Sequence, residues 1–216
     1  MKLGILGGTF NPIHLGHLRI AEEVRDRLAL EQVLFIPAAT PPHKPLAGDL
    51  PFADRLTMVQ LAIADNANFS CSDLENRRSG PSYSVDTLAE LKQAQPDDEL
   101  FFIIGSDSFL EIGLWHRYTE IFSQCHLVVV QRPDRPILNL AAVLPKAVAS
   151  EFNHNATTNC LTHQSGKQIQ YLPGIPLAIS SSAIRELAAA GHSLHYLVPE
   201  PVIEYITTKR IYANAG

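Results

Sequence analysis

A chain of 216 residues, 46% apolar and 18% charged, has the composition of a folded globular enzyme and excludes disordered and fibrous classes. Its net charge of -5 argues against a protein that tracks a nucleic-acid backbone, because such a protein needs a basic face. Cys71, Cys125 and Cys160 form no Cys-x-x-Cys pair, Met1-Lys2 leads into LGILGG without a signal-peptide core, and no run approaches the roughly 18 apolar residues of a membrane span. A reducing, cytoplasmic setting without disulfide framework, thiolate metal site, nucleic acid or membrane is therefore expected.

KLGILG (2 to 7) is short, apolar and bounded by glycines, as a strand buried on both faces is. Next, Leu18, Ala21, Val24 and Leu28 recur at helical spacing, with Glu22, Glu23, Arg25, Asp26 and Arg27 mostly opposite them, which predicts an amphipathic helix. VLFIP (33 to 37) is the following strand, and the prolines of ATPPHKPLAGDLP (39 to 51) make that stretch a long loop. A helix over 52 to 64, a strand at FSCSD (69 to 73) and a helix within SYSVDTLAELKQA (82 to 94) come next. LFFIIG (100 to 105) and HLVVVQR (126 to 132) read as strands on either side of SDSFLEIGLWHRYTEIF. Residues 137 to 170 give the weakest pattern; IQYLP (169 to 173) and LAIS (177 to 180) read as strands, and Ser180 to Ala190 as a helix stopped by Gly191.

Strands separated by helices predict βαβ units, hence an α/β fold of the Rossmann-like, doubly wound kind: a mainly parallel sheet with helices on both faces. One domain spanning 1 to 216 is expected, its helical C-terminal part, from about 180, packed on the sheet. In such sheets the ligand crevice lies beyond the carboxyl ends of the strands. Gly7-Gly8-Thr9, the Pro41-to-Pro45 loop, Gly105-Ser106-Asp107 and Ser180-Ser181-Ser182 all follow predicted strands, so four polar loops should converge on one side.

The most informative stretch is GGTFNPIHLGH, from Gly7 to His17. Two glycines let backbone N–H groups approach a ligand, and the helix that follows adds unpaired donors and a positive dipole end, which together make an anion site. His14 and His17, three apart in the first helical turn, can both face one phosphate chain, with Gly16 leaving room between them. The stretch is neither Gly-x-Gly-x-x-Gly nor a Walker loop, and a metal site would need further ligands that no nearby spacing supplies.

GGTFNPIHLGH resembles the His-x-Gly-His motif of the nucleotidyltransferase superfamily. Together with PPHK, SYSVDTL, FIIGSDSF, LW and ISSSAIR it resembles the bacterial nicotinate mononucleotide adenylyltransferases over nearly the whole chain, least between 137 and 168. The resemblance implies adenylyl transfer from ATP to nicotinate mononucleotide, giving nicotinate adenine dinucleotide and pyrophosphate, with Mg²⁺ carried mainly by the ATP. It leaves open a homo-oligomer, another acceptor such as nicotinamide mononucleotide or phosphopantetheine, and a non-catalytic adenine-nucleotide sensor.

The resemblance also implies roles for single residues. His14 and His17 would be catalytic phosphate partners, surrounded by backbone donors near Gly8, Thr9 and Phe10. Asn11 stands where many relatives have Asp, so it receives no catalytic or metal role. In ISSSAIR, which by itself reads as a serine-capped helix with a surface arginine, Ser180, Ser181 and Arg185 would hold the β- and γ-phosphates, Ser182 replacing a commoner Thr. Lys44, otherwise an exposed loop lysine, would meet a substrate phosphate, with His43 a weaker candidate. Gly105 would lie near the adenosine and Asp107 near the ribose, although Asp107 reads equally as a helix cap. Trp115, the only tryptophan, would stack on the pyridinium ring. Ser84 and the amide of His116 would receive the nicotinate carboxylate.

Overall fold

The computed structural model describes residues 1–42, 50–132, 135–155, 160–173 and 177–213. Five βα-type strands open the chain: β1 (Lys2–Gly8), β2 (Gln32–Pro37), β3 (Phe69–Cys71), β4 (Glu99–Gly105) and β5 (His126–Val130). They are interleaved with α1 (Leu15–Leu28), α2 (Phe52–Ile63), α3 (Ser84–Ala94), α4 (Ser106–Leu110) and α5 (Tyr118–Gln124). β6 (Phe152–Asn155), β7 (Cys160–His163) and β8 (Gln168–Leu172) follow, then α6 (Ser181–Ala189) and α7 (Glu200–Lys209).

All eight strands join one sheet in the order β3-β2-β1-β4-β5-β8-β7-β6. β3 through β8 in that order pair in parallel, whereas β7 runs antiparallel to β8 and β6 antiparallel to β7. The order reverses at β1, the point where open α/β sheets form their crevice.

Alternation along the strands fills two cores. Leu3, Ile5, Leu100, Phe102, Ile104, Leu127 and Val129 face α3, α4 and α5 through Val85, Leu88, Phe109, Ile121 and Phe122. Leu6, Val33, Phe35, Phe101, Ile103, Val128 and Val130 face the other way. They meet Ala21 and Val24 of α1, Met58 and Val59 of α2, Ile184 of α6, and Val202 and Ile206 of α7. This burial on both faces is why β1, β4 and β5 read as continuous apolar runs.

Three expectations need correction. Residues 177 to 180 form no strand: β8 already lies between β5 and β7, so LAIS finds no ladder beside them and runs as connecting chain into α6. FSCSD is a strand only through Cys71, after which the chain turns into a 3-10 helix (Leu74–Arg77). β5 ends at Val130, which frees Gln131 and Arg132 from the ladder with β4.

Candidate active site

A cleft of about 530 Å³ opens at the carboxyl ends of β1 and β4. Gly7, Gly8 and Thr9 form one part of its wall, with His17 and Ile20 of α1; Gly105, Asp107 and Arg132 form another; Pro41, Pro42, Ser82, Ser84 and Trp115 lie toward its far end.

The loop from β1 to α1 has its carbonyls pinned. Ala38 N–H donates to Gly8 O at 2.8 Å, Arg55 Nη1 to Thr9 O at 2.8 Å, Arg185 Nη1 to Asn11 O at 2.7 Å, and Ser181 Oγ to Pro12 O at 2.9 Å. The N–H groups of Thr9 and Phe10, by contrast, meet no acceptor among the described residues. A peptide whose oxygen is held on one side presents its N–H on the other, so the loop has the donor pattern of an anion cradle. Phe10 itself, at φ 48° and buried, packs its ring into the core edge-on to His17.

At the head of α1 the two imidazoles stack, ring centroids 3.7 Å apart and planes 24° from parallel. His14 caps the helix with its backbone N–H donating to His17 Nδ1 at 3.3 Å, and its own Nδ1 is buried without a hydrogen-bond partner. A Cβ at Gly16 would crowd that ring at 3.0 Å, so the His14 ring would have to give by a few tenths of an ångström to admit any other residue there. Burial, then the Arg132 charge, pushes the His14 pKa down to about 4. Burial, then His14 and Arg132, holds His17 well below its ordinary value. The pair is therefore neutral at pH 7 in the free protein, and a bound polyanion would draw it toward the protonated form.

On the β4 side the Ser106 hydroxyl accepts from Arg132 N–H at 2.9 Å, and Arg132 Nε stands 3.8 Å from Asp107 Oδ1. A Cβ on Gly105 would collide with Asp107 Oδ1 and crowd Arg132 Nε at 3.0 Å. Gly105 thus leaves both charged groups room at the rim. The sequence did not single out Arg132 because HLVVVQR looks like uninterrupted strand; only the ladder, which ends at Val130, shows that Arg132 lies beyond it.

The far end is assembled from side chains. Ser84 is the first residue of α3, and Trp115 packs edge-on to Phe102 with centroids 6.3 Å apart. His116 stacks on Tyr83 at 4.2 Å, and His116, Trp115 and Ser84 line a small recess of about 100 Å³. Ser82 fixes the neighbouring loop by exchanging bonds with Thr40, N–H to O at 2.8 Å and Oγ accepting from Thr40 N–H at 3.0 Å. Below, Glu75 Oε1 accepts from Thr87 Oγ1 at 2.6 Å and lies 3.9 Å from Arg78 Nη2. This buried carboxylate is a cleft-lining group that the sequence did not single out.

The structure thus brings Gly8, Thr9, His17, Gly105, Asp107, Ser84 and Trp115 to one cleft, with His14 directly behind His17. The start of α6 sits beside the loop rather than in that cleft. Ser180 Oγ caps the helix by accepting from Ala183 N–H at 3.2 Å, Ser181 holds Pro12, and Arg185 holds Asn11 and lines a separate groove with Leu50, Ser182 and Tyr212. Asn11 is buried, its Oδ1 accepting from Tyr212 O–H at 2.5 Å. Lys44 and His43 lie outside the described residues.

Residues 5–187 match the family described as cytidylyltransferase-like. The chain is 62% identical over 214 residues to a probable nicotinate-nucleotide adenylyltransferase of Geobacter metallireducens, with 99% of each chain covered. It is 56% identical over 216 residues to one of Geobacter sulfurreducens, with 100% of each covered. In fold it is similar to Plasmodium falciparum nicotinic acid mononucleotide adenylyltransferase complexed with NaAD, at a TM-score of 0.75 and 18% identity over 98% of this chain and 97% of that one. With its sheet order, its polar loops and these relatives in agreement, the chain belongs to the cytidylyltransferase-like family, among the nicotinate-nucleotide adenylyltransferases.

Proposed function

We propose that the cleft transfers the adenylyl group of ATP to nicotinate mononucleotide, forming nicotinate adenine dinucleotide and pyrophosphate. The observation that carries this reading is that one cleft is lined by the Gly7-Gly8-Thr9 loop and His17, which stacks on His14, and also by Ser84 and Trp115, which with His116 line an adjoining recess. The first set suits a polyphosphate; the second suits a flat cationic ring bearing a carboxylate.

The attacking group is a phosphate-monoester oxygen, largely ionised near neutral pH because its second pKa is about 6. No general base is needed, and the protein's task is alignment and charge neutralisation as the α-phosphorus is attacked and pyrophosphate leaves. His17, which lines the cleft, touches the α-phosphate; His14 acts on the triphosphate from behind, and the Thr9 and Phe10 amides hold its oxygens. Asp107 receives ribose hydroxyls beside Gly105. Ser180, Ser181 and Arg185 sit next to this cradle, and Arg185 reaches the outer phosphates if it exchanges its bond to Asn11 for a phosphate oxygen. Lys44 completes the substrate phosphate contacts.

Mg²⁺ would enter with the triphosphate and neutralise its charge. Among the described residues no three acidic, histidine or cysteine side chains converge on a point; of the cleft-lining carboxylates Glu75, Asp107 and Glu111, Asp107 would be the one beside the nucleotide and its cation. Among those residues no helix is long and apolar enough to cross a membrane, and all three cysteines are free; the cytoplasmic setting expected from the sequence belongs to this proposal.

Mixing the protein with ATP, Mg²⁺ and, in parallel, nicotinate mononucleotide, nicotinamide mononucleotide or phosphopantetheine, and measuring pyrophosphate, tests the reading. Fast release with the first acceptor is expected. Preferential release with another reassigns the acceptor end, and ATP binding without release in any arm leaves a nucleotide sensor.

A further inference from the structure

α2 carries an arginine where its core stripe should be apolar. Arg55 is fully buried, in helical phase with Met58, Val59 and Ala62. A buried guanidinium is costly unless its donors are met and its charge balanced. Here Nη1 donates to Thr9 O at 2.8 Å and Nη2 to Ala39 O at 3.4 Å, with the Phe52 ring 5.4 Å from the guanidinium carbon. Burial lowers its pKa, opposed by Tyr212 and by the carboxylate of Glu75, and Nε has no hydrogen-bond partner. An ordinary core position would not keep so expensive a group.

What Arg55 holds explains its retention. Thr9 belongs to the cradle after β1, and Ala39 to the loop leaving β2 toward Pro41 and Pro42. One guanidinium therefore grips the two loops that flank the cleft. Because the Thr9 oxygen is turned inward to Arg55, the Phe10 N–H of the same peptide is turned the opposite way, and a cationic donor on that oxygen polarises the peptide and strengthens its N–H.

We infer that Arg55 is a positioning residue for adenylyl transfer, clamping the Thr9 carbonyl so that the loop amides stay aimed at the nucleotide phosphates without touching the nucleotide itself. The inference rests on the proposed reaction for its consequence, although the clamp can be observed without it.

In the full-length protein with Arg55→Met, hydrogen exchange over residues 7 to 13, measured without nucleotide, should speed up while β4 keeps its protection. KM for ATP should rise about 10- to 100-fold, as expected for a displaced positioning element, while KM for nicotinate mononucleotide rises less than about threefold. Arg55→Lys keeps a cation but loses the fork, so it should restore part of both effects, and it carries the same comparison if Arg55→Met does not fold. Unchanged exchange at 7 to 13 overturns the clamp and leaves the proposed reaction standing; an inactive wild type overturns the reaction and leaves the exchange result to stand. Loss of protection throughout the sheet, an equal rise in both KM values, or a lysine variant no better than methionine would reduce Arg55 to a packing residue and sink the inference.

Discussion

The two ends of the cleft are built by different means. At the proposed nucleotide end the work falls to the backbone: the carbonyls of Gly8, Thr9, Asn11 and Pro12 are held by hydrogen bonds, and the amides of Thr9 and Phe10 meet no acceptor among the described residues. At the proposed acceptor end it falls to side chains that pack on one another, Trp115 on Phe102 and His116 on Tyr83. A backbone cradle accepts any polyphosphate, because every nucleoside triphosphate offers the same oxygens. Discrimination must then come from the packed end, where shape and one charge decide. Damage to the first end should cost rate, and damage to the second should cost choice of acceptor.

The largest effect should follow His17→Ala. It removes the imidazole that lines the cleft, and loss of one preorganised donor to developing charge lowers kcat by about 10² to 10³. KM for nicotinate mononucleotide should stay within about threefold if the two ends are separable. Steady-state kinetics with each substrate varied reads this directly, and a matching rise in the acceptor's KM would break the division.

His14 gives the nucleotide end a pH signature of its own. Its pKa is about 4 when folded, below the ordinary value of 6.5. Above pH 6.5 it is neutral in both states and contributes no slope. Between 6.5 and 4 the unfolded chain takes up the proton first, so stability falls as pH falls, by roughly 3 kcal/mol across the window. Urea melts of the wild type and His14→Asn between pH 7 and 4 should show a shallower slope in the variant. Parallel curves would mean that His14 titrates normally.

The same division governs what could be read from the sequence. β1, β2, β4 and β5 were legible because burial on both faces leaves apolar runs, and the loop proposed as the cradle drew notice because glycines and spaced histidines signal backbone chemistry. β6 and β7 were not, since FNHN and CLTH are short, polar and paired only with each other and β8. LAIS had strand composition but no open neighbour, a fact of topology that composition does not carry. Arg55, Arg132 and Glu75 were missed because each acts through contacts distant in sequence. Arg55 alone left a trace: its charge sits in phase with Met58, Val59 and Ala62.

At the acceptor end, Trp115→Ala should raise KM for nicotinate mononucleotide about 10- to 30-fold, the combined worth of a stacked cation and lost aromatic burial, with KM for ATP nearly constant. Trp115→Phe should fall between. Because Trp115 packs edge-on to Phe102, part of the alanine effect is lost support for the wall, and the phenylalanine variant separates that part from the stacking itself.

Ser84→Ala should have the smallest effect. The hydroxyl is one neutral donor, and its removal costs about three- to tenfold in kcat/KM for nicotinate mononucleotide. Ser84 also begins α3, whose unpaired N–H groups and positive dipole end remain when the side chain is cut back, and these favour a carboxylate over a carboxamide. Most of the preference for nicotinate over nicotinamide mononucleotide should therefore survive the substitution. Measuring kcat/KM for both acceptors decides where the discrimination resides. A preference that falls by no more than the loss in nicotinate activity places it in the helix end, whereas its collapse would mean that a single hydroxyl, not the backbone behind it, reads the charge. In that case even the acceptor end's selectivity would rest on a side chain, and the contrast between the two ends would be complete.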